Sequence, residues 1–253
     1  MSNVFKKSVI GTAVALGLLA GGQAMASELT ANVGVVSNYV FRGESQNVDH
    51  SAIQGGIDYS HDSGFHIGTW TSSLNGGGSS TAYGYELDVY GGYSFDVAGV
   101  GMDVGYISYM YPEGKTYNVS PSSENKYDFQ EIYVSASYGM FNAKYSFSDD
   151  YLGYSQINSA SKKSAYYVEL GMDYPLKDDL SLGLHVGQKG GAWFDDSATR
   201  SSVGTGAFTD YKVSLTKGEF SFAVSNTDNK KASVGSQSDN YRVIVGWTHN
   251  ITL

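Results

Sequence analysis

The sequence predicts an all-β protein, a closed antiparallel transmembrane β-barrel of about twelve strands. Three observations predict it. Apolar and polar residues alternate in one short segment after another. The connections between those segments alternate short and long. In the clearest segments the apolar stripe carries no charged residue.

Composition bounds the chain first. It has 253 residues and a formal net charge of -9. That acid excess leaves no basic surplus to neutralise phosphates, so no nucleic-acid partner is expected. Cys is 0, which removes disulfides, thiol catalysis and Cys-ligated metal. Gly 32 and Tyr 21 beside Pro 3 suit strands and turns rather than a disordered chain.

The first 26 residues read as a secretory signal peptide. Lys6 and Lys7 precede an apolar run containing Val9, Ile10, Val14, Leu16, Leu18 and Leu19, and Ala24-Met25-Ala26 offers a cleavage box. Residues 27–253 are then the barrel, delivered to the outer membrane of a Gram-negative bacterium. No later apolar run approaches the roughly 20 residues of a transmembrane helix.

The strands are expected at 30–42, 51–60, 65–74, 83–95, 100–111, 127–138, 141–148, 164–174, 180–189, 207–216, 220–226 and 240–252. Short connections fall near Asp62-Ser63, Asp96 to Gly99, Gly139-Met140, Pro175 to Asp179 and Lys217 to Glu219. Long ones fall at 43–50, 75–82, 112–126, 149–163, 190–206 and 227–239. Short turns on one side and long loops on the other is the outer-membrane pattern.

Parity assigns the faces. Tyr85, Leu87, Val89, Tyr93 and Phe95 share one stripe, and Glu86 and Asp88 share the other. Tyr166, Val168, Leu170, Met172 and Tyr174 oppose Glu169 and Asp173. Lipid would tolerate the first kind of stripe, and a wet lumen the second. Tyr93, Phe95, Tyr138, Phe141, Tyr174 and Phe220 lie near strand ends, as aromatic girdles do. A soluble periplasmic β-sandwich that binds a ligand is the rival fold, since its strands alternate too.

The N-terminal stretch Val36-Ser37-Asn38-Tyr39-Val40-Phe41-Arg42-Gly43, then Ser45-Gln46, Gln54-Gly55-Gly56-Ile57-Asp58-Tyr59 and Gly68-Thr69-Trp70-Thr71-Ser72, resembles the Gcw_chp family of bacterial outer-membrane proteins, the TorF-like porins. Val40 and Glu44 depart from its usual pattern, which has a second Arg and an aliphatic there. The resemblance implies a barrel and a channel, and it carries no catalytic residue.

The expected function is passive diffusion of small polar or charged solutes. Parity turns Gln54, Glu86, Glu131, Glu169, Lys212 and Arg242 into the lumen, and Arg42 stands nearer the outer mouth. These seven are the expected pore-lining residues. Glu86, Glu131 and Glu169 would form an acidic arc facing a basic arc of Lys212, Arg242 and Arg42. A non-conducting structural or adhesive barrel is the alternative.

Other partners are outer-membrane lipid and lipopolysaccharide. No enzyme is expected, since neither G-x-S-x-G nor H-E-x-x-H occurs. No cofactor and no metal site are expected. Asp58 and His66 face one side across the Asp62-Ser63 turn and could pair. Asp149-Asp150 and Asp195-Asp196 read as solvated loop carboxylates.

Overall fold

Period-two alternation becomes twelve long strands in the computed structural model. It describes residues 27–75, 81–82, 84–112, 115–116, 127–153, 155, 161–195, 206–228 and 241–253. The expected signal peptide lies outside the described residues, as do Gly76 to Ser80 and Asp196. The barrel strands are β1 Glu28–Val36, β2 Ala52–Ser60, β3 Phe65–Ser73, β4 Tyr85–Val97, β5 Val100–Met110 and β6 Phe129–Tyr138. They continue as β7 Phe141–Ser148, β8 Ala165–Pro175, β9 Leu180–Gly190, β10 Phe208–Lys217, β11 Phe220–Thr227 and β12 Arg242–Thr252.

Each strand pairs antiparallel with the next, and β1 pairs with β12 from Thr30 against Thr252 to Val36 against Gly246. The sheet therefore closes into one ring, with no second layer to pack against. That closure excludes the sandwich. It also leaves no free strand edge, as hydrocarbon requires.

The outward stripe is apolar all round. Ile57, Ile132, Leu170, Val213 and Val245 are exposed at half their surface or more. Among the strands, the only Lys, Arg, Asp or Glu sharing that stripe is Lys217, at the end of β10. In water this belt would be a large aggregation surface, whereas in lipid it is the solvent-matched face. Tyr93, Tyr138, Phe141, Tyr174 and Phe220 ring the short-turn rim, and Tyr85, Tyr166, Tyr211 and Tyr241 ring the other.

The short turns follow local chemistry. Ala98 and Gly99 both take positive φ, 54° and 84°, the pair a two-residue hairpin of primed type needs. The first strand differs from its expected span. It ends at Val36 rather than residue 42, because the chain turns into the lumen at Ser37 and forms two short strands of its own, Val40–Phe41 and Glu44–Ser45.

A positive charge in the middle of the belt tests this placement. Leu170→Arg should destabilise the folded barrel in lipid vesicles by about 2–4 kcal/mol, read by urea unfolding, while Leu170→Met should leave it unchanged. An arginine that costs nothing there would mean that this stripe does not face hydrocarbon.

Candidate functional site

The segment after β1 governs the lumen. Arg42 and Gly43 sit at its tip with φ of 48° and 79°, between Val40–Phe41 and Glu44–Ser45. This is a tight hairpin of the same primed kind. Gly43 is required twice over: its φ favours glycine, and a Cβ would collide with Thr227 and Asp210 on the wall. Side chains brace the hairpin from within. The Ser45 hydroxyl donates to Asn38 Oδ1 at 2.7 Å, Tyr39 N–H to Asn47 Oδ1 at 3.1 Å, and Asn38 Nδ2 to Asp49 Oδ1 at 2.6 Å.

Among its ties to the wall are contacts on every third strand. Tyr39 meets Trp70 of β3 edge to face, centroids 5.4 Å apart. Arg42 forks onto Glu131 of β6 with two bonds of 2.7 Å. Glu44 takes Lys189 of β9 at 2.6 Å. Asp49 takes Arg242 of β12 at 3.1 Å, and Arg242 Nη1 also donates to the Gly43 carbonyl at 3.2 Å. Contacts at quarter turns of a twelve-strand ring mean that the hairpin spans the bore rather than lying along one side.

The Arg42–Glu131 pair is the most buried of these. Its side chains are 9% and 3% exposed. The guanidinium lies 4.6 Å from the Phe41 ring centroid and 4.4 Å from that of Tyr167, and the Tyr109 hydroxyl donates to Glu131 at 3.2 Å. A bidentate, ring-flanked pair is well matched geometrically, yet either partner left alone would be a stranded charge.

An aromatic cap covers the hairpin. Tyr151, Trp193 and Phe194, from the connections after β7 and β9, pack with Ile107, Tyr109, Phe129 and Ala165. Tyr109 stacks on Phe129 at 4.5 Å, Phe129 meets Tyr151 at 4.9 Å, and Tyr151 meets Trp193 at 5.3 Å. On β5, β6 and β8 the inner stripe is thus apolar toward the long-loop end, where the alternation predicts a wet face.

Toward the short turns the inner wall is polar. Lys144, Glu169, His185 and Lys212 are half-buried on β7 to β10. Lys144 is in register with Glu169, and His185 with Lys212. His185 also lies 3.1 Å from Asp210 and 3.6 Å from Glu169.

The seven expected pore residues separate as follows. Gln54, Glu86, Glu131 and Arg242 are buried on the inner wall, and Glu169 and Lys212 are half-buried there. Arg42 is not at the end of a strand near the outer mouth. It lies inside the ring against β6, because the chain crosses the bore before reaching it. The two opposed arcs therefore do not form as expected: Arg42 neutralises Glu131, and Asp49 engages Arg242.

His66 and Asp58 do not bond to each other. Tyr90 of β4 crosses Gly68 of β3 to donate to Asp58 on β2. His66 of β3 crosses Gly92 of β4 to reach Asp103 on β5 at 2.7 Å. Tyr167 of β8 crosses Gly187 of β9 to donate to Asp210 on β10 at 2.9 Å. An inward glycine opens a window through which a large side chain reaches two strands away. Such windows were visible as glycines, but their partners depend on the stagger of the closed sheet.

Among the described residues, no group of three or more His, Asp or Glu gathers as a metal site. The chain matches over residues 20–246 a family described as "Bacterial protein of unknown function (Gcw_chp)". No curated protein matches it. Among solved structures it is similar to one described as "NanC porin structure in rhombohedral crystal form", with 11% identity, a TM-score of 0.50, and coverage of 88% of this chain and 97% of that one. The KdgM porin is similar at 13% identity and a TM-score of 0.49, covering 87% of this chain and 98% of that one. At 11% identity the likeness to the NanC structure is one of fold.

The buried pair makes a sharp mutational contrast. Arg42→Ala strands Glu131 and should cost about 3–5 kcal/mol in urea unfolding. The double change Arg42→Met with Glu131→Leu should recover most of that loss. A single variant as stable as the parent would mean that Arg42 is not held in the lumen.

Proposed function

The chain belongs to the Gcw_chp family, and from that premise we propose that it is an outer-membrane porin passing small polar or charged solutes. The observation that carries this is a closed ring with a belt suited to lipid and an inner wall bearing ionisable groups. A signal peptide at 1–26 would export it, and the rim aromatics would meet lipid and lipopolysaccharide headgroups. This is the TorF-like porin reading.

In this reading the hairpin of residues 37–50 is the constriction. Arg42, Gln54, Glu86, Glu131 and Arg242 shape its level, and Glu169 and Lys212 face the wider polar section beneath. Charged groups in a narrow bore set which ions and zwitterions pass. Pairing lowers the field at Glu131 and Arg242, and Glu169 and Lys212, half-buried in the wider section, are the groups that meet a passing solute.

A second reading has a specific observation in its favour. The hairpin and the aromatic cap pack on each other and on the wall toward the long-loop end of the bore. A barrel so closed would be structural or adhesive, acting through its long loops.

Planar-bilayer recording separates the two. The intact chain should give a small unitary current, and replacing residues 38–49 by a short Gly-Ser linker should raise it several-fold. Glu169→Gln should shift the reversal potential toward anions. Current only from the shortened chain would favour the closed barrel, and no current from either would end the porin reading.

A further inference from the structure

Two buried carboxylates on β4 have no charge partner. Glu86 and Asp88 point inward two residues apart, 2% and 1% exposed. The Tyr111 hydroxyl donates to Glu86 Oε1 at 3.4 Å, but Glu86 Oε2 and Asp88 Oδ1 have no hydrogen-bond partner. The buried cations of this level are engaged elsewhere: Arg42 with Glu131, Lys189 with Glu44, Arg242 with Asp49. Two uncompensated buried carboxylates are among the costliest arrangements a fold can hold.

The neighbouring strands add a hydroxyl and an amide but no charge. Glu86 is in register with Ser72 of β3, and Ser72 with Gln54 of β2. Gln54 Nε2 donates to Ser72 Oγ at 3.3 Å, which leaves Gln54 Oε1 buried without a partner. One patch of wall across β2, β3 and β4 thus presents a hydroxyl and three orphaned acceptors, with no nitrogen or sulfur ligand among them. Tyr39 of the hairpin packs beside it on Trp70, with its hydroxyl facing Glu86.

Three acceptors that the nearby hydroxyls and amide leave unpartnered, two of them on carboxylates, offer places for positive charge. Oxygen-only donors select a hard cation, and two carboxylates with an amide oxygen match the divalent charge and mixed ligands of calcium. We propose that Gln54, Ser72, Glu86 and Asp88 bind a calcium ion that joins three barrel strands at the foot of the hairpin. The site does not depend on whether the bore conducts.

Terbium, a luminescent stand-in for calcium, provides the test. The full chain folded in detergent should show tyrosine-sensitised terbium emission, because Tyr39 and Tyr111 lie at the site. Calcium should displace the emission and raise the thermal midpoint. Asp88→Asn and Glu86→Gln should each weaken binding at least tenfold, and Gln54→Leu should weaken it less. Asp149→Asn, in the exposed pair with Lys162, should bind as the parent does. Heat-shifted gel mobility identifies the variants that fold, and any one of the three suffices. No sensitised emission from the parent would overturn the site and leave the carboxylates protonated. Unchanged binding in a folded Asp88→Asn or Glu86→Gln variant would overturn it as well.

Discussion

Backbone groups cannot go unpaired in hydrocarbon, and everything else in this molecule follows from meeting that constraint by closing the sheet. Pairing β1 with β12 removes both edges at once. It forces every strand to show lipid one stripe and the interior the other. The interior of a twelve-strand ring is then too wide for wall side chains alone to fill and too narrow to hold a folded domain. A single hairpin of residues 37–50 suits the gap. It enters directly from β1, so little extra chain is needed to reach across.

The hairpin in turn explains the chemistry of the wall. Each charged residue near its tip meets an opposite charge on a different strand: Arg42 on β6, Glu44 on β9, Asp49 on β12. Charges at this level are thus largely internal mortar. Val40, which departs from the usual family pattern, packs on Ala223 and Ile244, and Glu44, the other departure, supplies the bond to Lys189. The stretch that carries the family resemblance builds the hairpin and part of the wall it touches, Trp70 included.

Much of this was legible in the sequence. Strict alternation placed β2 to β12 within a few residues, since a one-residue slip would have turned charges toward lipid. The same parity set Glu86, Glu131 and Glu169 on the inner stripe. The end of β1 was not legible, because Ser37 to Phe41 continues to read as strand and only contact inside the ring bends it. Arg42-Gly43, flanked by strand-forming pairs, was the available signal for a tight turn. Charge partners were also hidden. His66 reaches Asp103 rather than Asp58 because Gly92 opens a gap there, and such pairings depend on the stagger of neighbouring strands. The aromatic cap was missed because Tyr151, Trp193 and Phe194 lie in connections, where alternation says nothing.

Hydrogen exchange of the hairpin amides tests the central claim most directly. With residues 38–47 packed across the bore, peptides from that stretch exchange as slowly as those from the barrel strands, and far more slowly than the long connection at 206–207. Exchange of residues 38–47 at the rate of an open surface loop would contradict a hairpin inside the ring.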